Sequence, residues 1–316
     1  MNNLIAVTIG DIEGIGIHLL LKEWRKRNLK NFVIISNYKI FLQFNLLKKE
    51  KTNLIENIKD LNYDSSKINI LNFKTNNKFS NTYDSLNIAY KFTKKKYFIG
   101  ILTLPLNKDK INKYVSKKFI DQTSFFSKIE KSKYANMIFI YKKKFFIPLT
   151  IHIEIKNVHK YFKNKTYMIK NIKKIILTLK NDFHINNPKI LLAGINPHAG
   201  ENGVISKDDS KYMDPIIKNL KKNNIIINGP VSGDSMINYD NMKYYDVFLF
   251  PYHDQALIPF KIVSNFEGVN FTSNLKIIRV SPSHGTARKL VGTNKATSNG
   301  IINCYKIIKK IFKNRK

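Results

Sequence analysis

The segment KILLAGINPHAGENG, residues 189–203, joins a short apolar run to a glycine-rich loop that contains a histidine. The run at 189–195 is typical of a β-strand that is buried on both faces. Comparable runs recur along the chain, at 3–9, 31–36, 98–104, 225–228 and 246–250. Segments with helical spacing lie between several of these runs, at 15–28, 83–96, 165–182 and 207–223. Alternating strands and helices predict an α/β fold with mostly parallel sheets flanked by helices.

Two further segments modify this simple pattern. Residues 136–151 are rich in Lys and Phe and predict two neighbouring strands with a tight connection at YKKK, which makes a mixed sheet in the middle of the chain. Residues 268–280 are also strand-like, and the basic tail from 309 predicts a helix that frays at its end. A chain of 316 residues is long enough for two domains.

Composition limits the classes of protein. Lys and Arg number 55 against 22 Asp and Glu, a net charge of +33, but the Lys runs are scattered and no nucleic-acid-binding motif accompanies them. These features argue against nucleic acid as a partner, whereas the charge favours anionic, phosphorylated substrates. Cys304 is the only cysteine, so an intrachain disulfide is impossible. The chain opens without a signal-peptide pattern and lacks an apolar run of ~18 residues, which predicts a cytoplasmic protein that does not enter a membrane.

The unusual residues follow the predicted strands. Five such loops occur: TIGDIEGIG at 8–16, TLPLNK at 103–108, GINPHAG at 194–200, GPVSGD at 229–234 and PYHDQ at 251–255. Ligands of open α/β sheets bind beyond the carboxyl ends of the strands. The five loops therefore predict one cleft.

Three of the seven histidines stand out by position. His152 ends an apparent strand, while His198 and His253 each lie just beyond one. Ligands that are widely separated in sequence and meet at a cleft are typical of a catalytic metal with an open position for substrate. Imidazoles favour Zn, Co, Ni or Fe over Mg. The alternative is an acid/base pair formed by His253 and Asp254 without a metal.

Cationic and amide side chains accompany these histidines. Lys261 falls in a predicted helix, and Asn270 and Arg279 flank or enter the strand-like region 268–280. Arg279 follows two apolar residues, where an unpaired guanidinium would be costly, so a substrate carboxylate or phosphate is a candidate partner. The spacing GxxxGxG at 10–16 is not the dinucleotide fingerprint GxGxxG, and both a strand-to-helix turn and a phosphate contact remain open.

The loops together resemble one family, the 4-hydroxythreonine-4-phosphate dehydrogenases of pyridoxal phosphate biosynthesis, in order and over nearly the whole chain. The family motif T-P-G-E-P-A-G-I-G is similar to Thr8–Gly16, P-I-N-K to Pro105–Lys108, and L-N-P-H-A-G-E-x-G to Ile195–Gly203. G-P-x-x-x-D is matched at Gly229–Asp234, and the run from Y-H-D-Q to H-G-T-A at Tyr252–Ala287.

The resemblance implies an α/β, isopropylmalate-dehydrogenase-like fold of two domains with the active site in the interdomain cleft. The first domain would comprise 1–118 plus 288–316, and the second, 119–287, would carry the metal ligands and the dimer interface. The implied assembly is a homodimer with a shared active site. The implied reaction is NAD-dependent oxidation and decarboxylation of 4-phosphooxy-L-threonine to 3-amino-2-oxopropyl phosphate. The alternatives are a dehydrogenase of threonate or erythronate phosphate, or a degenerate basic nucleic-acid-associated protein.

Roles carry over position by position. The implied ligands of a divalent metal (Zn, Co or Mg) are His152, His198 and His253, and the cofactor is NAD or NADP, whose contact residues stay open. The implied substrate contacts are Gln122, Thr123, Lys261, Asn270 and Arg279. The implied catalytic residues are Lys261, Asp234 and Asp254, and the two carboxylates are expected to orient imidazole N–H groups or relay protons.

Several positions depart from the family pattern. Gln122 stands where the family usually has a histidine, and an amide cannot carry a positive charge toward a phosphate. Ile9 and Ile17 replace prolines, and His18 replaces a glutamate. Ser283 replaces an acidic residue. These changes predict altered rate or affinity, with the same type of reaction.

Overall fold

A computed structural model describes residues 3–47, 51–293 and 295–316. Its strands are β1 (Ile5–Thr8), β2 (Phe32–Ile35), β3 (Thr52–Ile55), β4 (Ile68–Leu71), β5 (Gly100–Thr103), β6 (Met137–Tyr141), β7 (Lys144–Pro148), β8 (Ile190–Ala193), β9 (Ile227–Val231), β10 (Val247–Phe250), β11 (Val269–Thr272) and β12 (Arg279–Pro282). Its helices are α1 (Ile15–Arg25), α2 (Tyr38–Gln43), α3 (Lys78–Lys94), α4 (Lys108–Tyr114), α5 (Gln122–Ile129), α6 (Val158–Lys163), α7 (Lys165–Phe183), α8 (Asp214–Lys222), α9 (Tyr239–Tyr244), α10 (His253–Ser264) and α11 (Asn299–Asn314). The alternation of strands and helices confirms the predicted α/β class.

The chain divides into two compact units. The first unit comprises Met1–Lys133, Leu275–Asn314 and Lys316, and the second comprises Tyr134–Asn274 and Arg315. These bounds differ from the boundaries expected after residues 118 and 287. Segment 275–287 belongs to the first unit because β12 pairs with β5 and packs on α11. Segment 119–133 belongs to it because Phe119 and Phe126 contact rings of α3, Tyr83 and Tyr90.

The first unit contains a parallel sheet in the order β3-β4-β2-β1-β5-β12. Every residue of β1, β2, β4 and β5 is buried. Strands buried along their whole length are expected where helices cover both faces of a parallel sheet. Helices α3 and α11 pack against these strands.

The second unit contains a mixed sheet in the order β11-β6-β7-β10-β8-β9. Strands β11, β6 and β7 are antiparallel neighbours, and β7, β10, β8 and β9 are parallel neighbours. The β6–β7 hairpin pairs Tyr141 with Lys144, so the tight connection predicted at YKKK is confirmed. The core of this unit is aromatic, and the Phe146 ring stacks on Phe248 with centroids 5.3 Å apart.

Three expectations about individual elements need correction. The region 268–280 is two strands, because Asn274 adopts a left-handed conformation (φ 55°) that ends β11. Strands β3 and β4 were not predicted, since polar residues interrupt both of them. The basic tail is not frayed from 309, because α11 is continuous to Asn314. In the described part of the chain, no helix combines the length and apolarity that crossing a membrane requires.

Candidate active site

The three predicted histidines and Asp234 follow four adjacent strands. Strands β7, β10, β8 and β9 are parallel, so their carboxyl ends lie along one edge of the second unit's sheet. His152 follows β7, His253 follows β10, His198 follows β8, and Asp234 follows β9. We call His152, His198, Ser232, Asp234, His253 and Asp254 the histidine edge. Topology alone thus explains why residues far apart in sequence share one edge.

Hydrogen bonds tie the loops of this edge to one another. The Thr150 hydroxyl donates to the Pro251 carbonyl over 2.6 Å, which joins the loop after β7 to the loop after β10. The Gln255 amide nitrogen donates to the Gly194 carbonyl over 3.0 Å, which joins the start of α10 to the loop after β8. These bonds hold three of the loops in register.

His152 and His253 face each other. Their ring centroids are 5.5 Å apart, and the ring planes are inclined by 37°. Nδ1 of His253 lies 2.8 Å from Oδ1 of Asp254, so Nε2 is the ring nitrogen left to face a ligand. Carboxylate–histidine pairs of this kind orient metal ligands in proteins, and this role of Asp254 stays a prediction.

His198 is linked to Asp234 through a serine. Oγ of Ser232 lies 3.5 Å from Nδ1 of His198 and donates to Oδ1 of Asp234 over 2.5 Å. This serine hydrogen bond is the main cause that lowers the pKa of Asp234, to which the charge of His198 adds a small effect. Asp234 was expected to orient an imidazole or relay a proton, and this role stays a prediction. The structure places Ser232, which carried no separate signal in the sequence, between the Asp234 carboxylate and His198.

His198 begins an unusual left-handed turn. Five consecutive residues, 198–202, have φ between 46° and 81°. Of these five residues, only Gly200 adopts this conformation without a steric penalty. For each of the others the left-handed conformation costs about 1–2 kcal/mol, and less for Asn202. Gly200 is also required by space, because a Cβ there would lie 2.3 Å from the Ser206 carbonyl oxygen. Strained backbone of this kind persists where surrounding contacts enforce it.

The donor set of the histidine edge fits a divalent metal, although the described residues do not present a closed site. Within 3–47, 51–293 and 295–316, no group of three or more His, Cys, Asp or Glu side chains is arranged to hold a metal ion. Two imidazoles bound to one ion at about 2.0–2.1 Å would have ring centroids roughly 5 Å apart. The 5.5 Å between His152 and His253 is close to this spacing. The ligand role of the three histidines remains a prediction.

Two predicted substrate contacts lie elsewhere in the second unit. Lys261 is exposed in the last turn of α10, the helix that His253 begins. Asn270 lies in β11, and its buried Oδ1 accepts no hydrogen bond from the residues that the structure describes. A buried amide oxygen without a partner is costly, so it indicates a ligand that would supply a donor.

Arg279 is the centre of a cluster in the first unit. It is only 1% exposed, and its guanidinium donates to the hydroxyls of Thr103 (2.9 Å) and Thr123 (3.3 Å). Burial lowers the pKa of Arg279 to about 10, while the nearby Asp121 opposes this shift. The side chain therefore stays protonated at neutral pH. Sequence reasoning identified Arg279 and Thr123, but it missed Thr103 because nothing local distinguishes that residue.

Gln122 joins the Arg279 cluster through both ends of its amide. Its Oε1 accepts a hydrogen bond from Nη2 of Arg279 over 2.5 Å, and its Nε2 donates to the Leu104 carbonyl over 3.0 Å. Asp121 fixes the start of α5 by accepting from the Ser124 backbone amide. The residue that departs from the family pattern thus supports the guanidinium of Arg279.

The glycine-rich loop after β1 is a strand-to-helix turn. Gly10 has φ 63°, and a Cβ there would lie 2.6 Å from the Pro105 carbonyl oxygen. Asp11 accepts two hydrogen bonds from the Arg288 guanidinium, at 2.9 and 3.0 Å. Of the other positions that depart from the family pattern, His18 is half-buried in α1. Ser283 has a buried Oγ that finds no hydrogen-bond partner in the described part of the chain. The phosphate contact considered for this loop stays a prediction.

The fold and the histidine edge define an α/β protein with imidazole and carboxylate groups at the carboxyl ends of parallel strands. The family model described as pyridoxal phosphate biosynthetic protein PdxA matches residues 27–308. The chain belongs to this family. Residues 122, 152, 198, 253, 270 and 279 all lie within the matched range.

Two relatives that match over nearly the full length are both named 4-hydroxythreonine-4-phosphate dehydrogenase. The 4-hydroxythreonine-4-phosphate dehydrogenase of Aquifex aeolicus is 33% identical over 99% of both chains. The enzyme of that name from Sulfurihydrogenibium is 30% identical over 96% of both chains. These identities extend the family membership to nearly all of the sequence.

Solved structures agree with the fold. The 4-hydroxythreonine-4-phosphate dehydrogenase of Klebsiella pneumoniae has a TM-score of 0.79 at 22% identity, over 98% of this chain and 99% of that one. A putative enzyme of the same name from Salmonella typhimurium has a TM-score of 0.80 at 23% identity, over 98% of this chain and 100% of that one. The predicted isopropylmalate-dehydrogenase-like α/β fold is confirmed.

Proposed function

We propose that the protein is a 4-hydroxythreonine-4-phosphate dehydrogenase. The proposed reaction oxidises the secondary alcohol of 4-phosphooxy-L-threonine, with NAD or NADP as hydride acceptor. The resulting β-keto acid loses carbon dioxide to give 3-amino-2-oxopropyl phosphate. The observation that carries the proposal is the histidine edge, where two facing imidazoles and a third, serine-linked imidazole follow adjacent parallel strands.

His152, His198 and His253 are the residues that would hold a divalent metal. A metal ion (Zn, Co or Mg) supplies Lewis-acid polarisation of the substrate oxygen, and the all-imidazole donor set favours Zn or Co. Asp254 holds the His253 ring with Nε2 outward, over a distance of 2.8 Å. We assign to Asp234 the role of orienting His198 through Ser232, and its lowered pKa keeps the carboxylate ionised at neutral pH.

The anionic substrate is proposed to contact the cationic and amide residues. Arg279 offers a planar, always protonated fork for a phosphate or carboxylate, and Thr123 lies beside it at 3.3 Å. Gln122 acts on the guanidinium of Arg279, since its own amide is engaged at both ends. Asn270, with its unsatisfied oxygen, and Lys261 are the proposed contacts from the second unit.

A homodimer with a shared active site is part of the proposal. Ile258 and Ile262 lie one turn apart on α10, 63% and 77% exposed, and Phe266 just beyond the helix is 46% exposed. Exposed apolar side chains on one helix face indicate an interaction surface. We assign this surface to a second copy of the chain, because the same helix carries His253 and Lys261. The proposed location is the cytoplasm, where the substrates of a pyridoxal phosphate pathway are made.

An NADH-release assay with 4-phosphooxy-L-threonine tests the function. The protein is first stripped with chelator and then assayed without metal and with Zn, Co or Mg. We expect NADH formation that depends on the added metal and is greater with 4-phosphooxy-L-threonine than with threonate or erythronate phosphate. Metal-independent release would contradict the metal role, and preference for another phosphorylated hydroxy acid would replace the substrate. DNA binding with steep salt dependence and without NADH release would favour the nucleic-acid alternative.

A further inference from the structure

We propose that Asp209 is a positioning residue for His198, an inference that rests on the proposed metal role of that histidine. Asp209 lies in the predicted helical segment 207–223, but the sequence did not single it out as a functional residue. It begins a single turn of π-helix, Asp209–Met213, and its side chain is 1% exposed. Such turns are rare and frequently occur at functional sites.

The carboxylate of Asp209 holds the start of the loop that carries His198. Its Oδ1 accepts a hydrogen bond from the Ile195 backbone amide over 2.7 Å, and its Oδ2 accepts one from the Asn196 side-chain amide over 2.8 Å. Both bonds form just before Pro197 and His198. A buried carboxylate requires such donors, and here the donors come from the loop itself.

The same carboxylate also lies against the left-handed turn at residues 198–202. A Cβ on Gly200 would lie 3.3 Å from Oδ2 of Asp209, and a Cβ on Gly194 would lie 2.8 Å from Oδ1. The two glycines therefore let the loop close around the carboxylate. Gly194 also makes room for Ala199, because a Cβ on Gly194 would lie 2.7 Å from the Ala199 Cα atom.

These contacts explain how a strained turn persists. Left-handed backbone at His198, Ala199 and Glu201 is unfavourable for residues with a Cβ, so surrounding contacts must enforce it. Asp209 accepts two hydrogen bonds at the entry of the turn, and its carboxylate lies close to Gly194 and Gly200. Loss of the carboxylate would let the turn relax, which would move the His198 imidazole away from its place in the histidine edge.

Exchanging the carboxylate of Asp209 and the amide of Asn196 between the two positions distinguishes a positioning role of Asp209 from a general effect on packing. Asp209→Asn places one amide NH2 group against that of Asn196, and Asn196→Asp places one carboxylate against another. The double variant Asp209→Asn with Asn196→Asp restores a donor opposite an acceptor. Asp208→Asn makes the same change of charge one residue away and serves as the control.

Metal binding to the full-length protein is the first readout. Titration with Co²⁺ should give a dissociation constant about 10–100-fold weaker for each single variant than for the parent, as found for residues that orient metal ligands. The dissociation constant of the double variant should return to within about threefold of the parent value, and that of the Asp208→Asn control should equal the parent value. Parent-like affinity in Asp209→Asn, or a double variant as weak as the singles, would overturn the proposal.

Amide hydrogen exchange in the metal-free protein is the second readout. The Ile195 amide should exchange faster in Asp209→Ala than in the parent and should stay protected in the double variant. If the Ile195 amide exchanges equally slowly in Asp209→Ala and in the parent, the positioning role of Asp209 is overturned, and this result does not depend on metal binding. A parent that binds no Co²⁺ would instead refute the proposed metal dependence, which is a different result from either of these.

Discussion

Replacing Gln122 by Leu tests how the first unit holds its buried guanidinium. The substitution keeps a side chain of similar size but removes two hydrogen bonds, one from Arg279 Nη2 and one to the Leu104 carbonyl. A hydrogen bond to a charged group contributes about 1.5–3 kcal/mol, and a neutral one about 0.5–1.5 kcal/mol. Because Gln122 is half-buried, we expect the lower part of the sum, about 2–3 kcal/mol of lost stability.

Thermal unfolding measures this loss. For a domain of 150–250 residues, 1 kcal/mol corresponds to about 2–4 °C, so Gln122→Leu should lower the Tm by roughly 4–12 °C. The KM for the phosphorylated substrate should also rise, because a guanidinium without its support takes up several orientations. An unchanged Tm would show that the two hydrogen bonds do not hold Arg279, and the reasoning would fail.

Gln122→Glu provides the matched comparison. A carboxylate still accepts from Arg279 and strengthens that bond, so the Tm should fall much less than in the Leu variant. The same negative charge offsets the positive charge of Arg279, so the KM should rise strongly at constant kcat. A Glu variant with parent-like KM would contradict the assignment of Arg279 to an anionic group of the substrate.

Three other predictions concern the histidines and the exposed helix face. His198→Ala should lower kcat by about 100-fold or more while the circular dichroism spectrum is unchanged, and His159→Ala should retain parent activity in the same assay. Burial, helped by Arg25, lowers the pKa of His18, so the unfolded chain takes up a proton that the folded chain resists. Stability contributed by neutral His18 is thus present above pH 6.5 and lost as the pH falls below it. The unfolding midpoint of the parent should therefore decline between pH 7 and 5, and His18→Gln should flatten this decline. An equal decline in parent and variant would contradict the prediction. Ile262→Asp should convert the proposed homodimer to a monomer in sedimentation analysis, and a dimer that persists would place the interface elsewhere.

The sequence located the reactive loops well because they obey a rule of topology. Apolar runs identified β8 and β10, and side chains just beyond such strands meet at one edge of a parallel sheet. The sequence pattern therefore predicts His198 and His253 at the same edge of the sheet. The ring contact between His152 and His253, with centroids 5.5 Å apart, agrees with it.

Elements with buried polar residues escaped prediction. Strand β4 reads INIL, and Asn69 interrupts its apolar pattern, yet this side chain is only 2% exposed. Asn69 is satisfied by an accepted bond from Asn53 (2.8 Å) and a donated bond to the Asp64 carbonyl (2.6 Å). A pattern of apolar letters cannot register an asparagine whose partners lie in other segments.

Partnerships between distant residues were also beyond the sequence. Gln122 could be recognised as a departure from the family pattern, but its bond to Arg279 spans 157 positions. Asp209 is one of several acidic residues near 208–214, and only its burial distinguishes it. Local sequence patterns indicate which residues of a helix or strand are buried and which loops carry reactive groups. Contacts between residues far apart in sequence depend instead on how the elements pack.

Arginine itself is an informative residue in this chain. Lysine is so abundant that a single Lys carries little meaning, whereas only five arginines occur. Four of them donate from the guanidinium to named acceptors in the structure: Arg25, Arg279, Arg288 and Arg315. An ammonium group cannot reproduce the forked pair of bonds that Arg288 makes to Asp11, so replacement by Lys is not neutral there. The argument that identified Arg279 from its apolar neighbours therefore extends to Arg288, whose surroundings are polar. In a chain whose cations are mostly lysine, both arginines lie where a planar group with several N–H donors meets fixed acceptors.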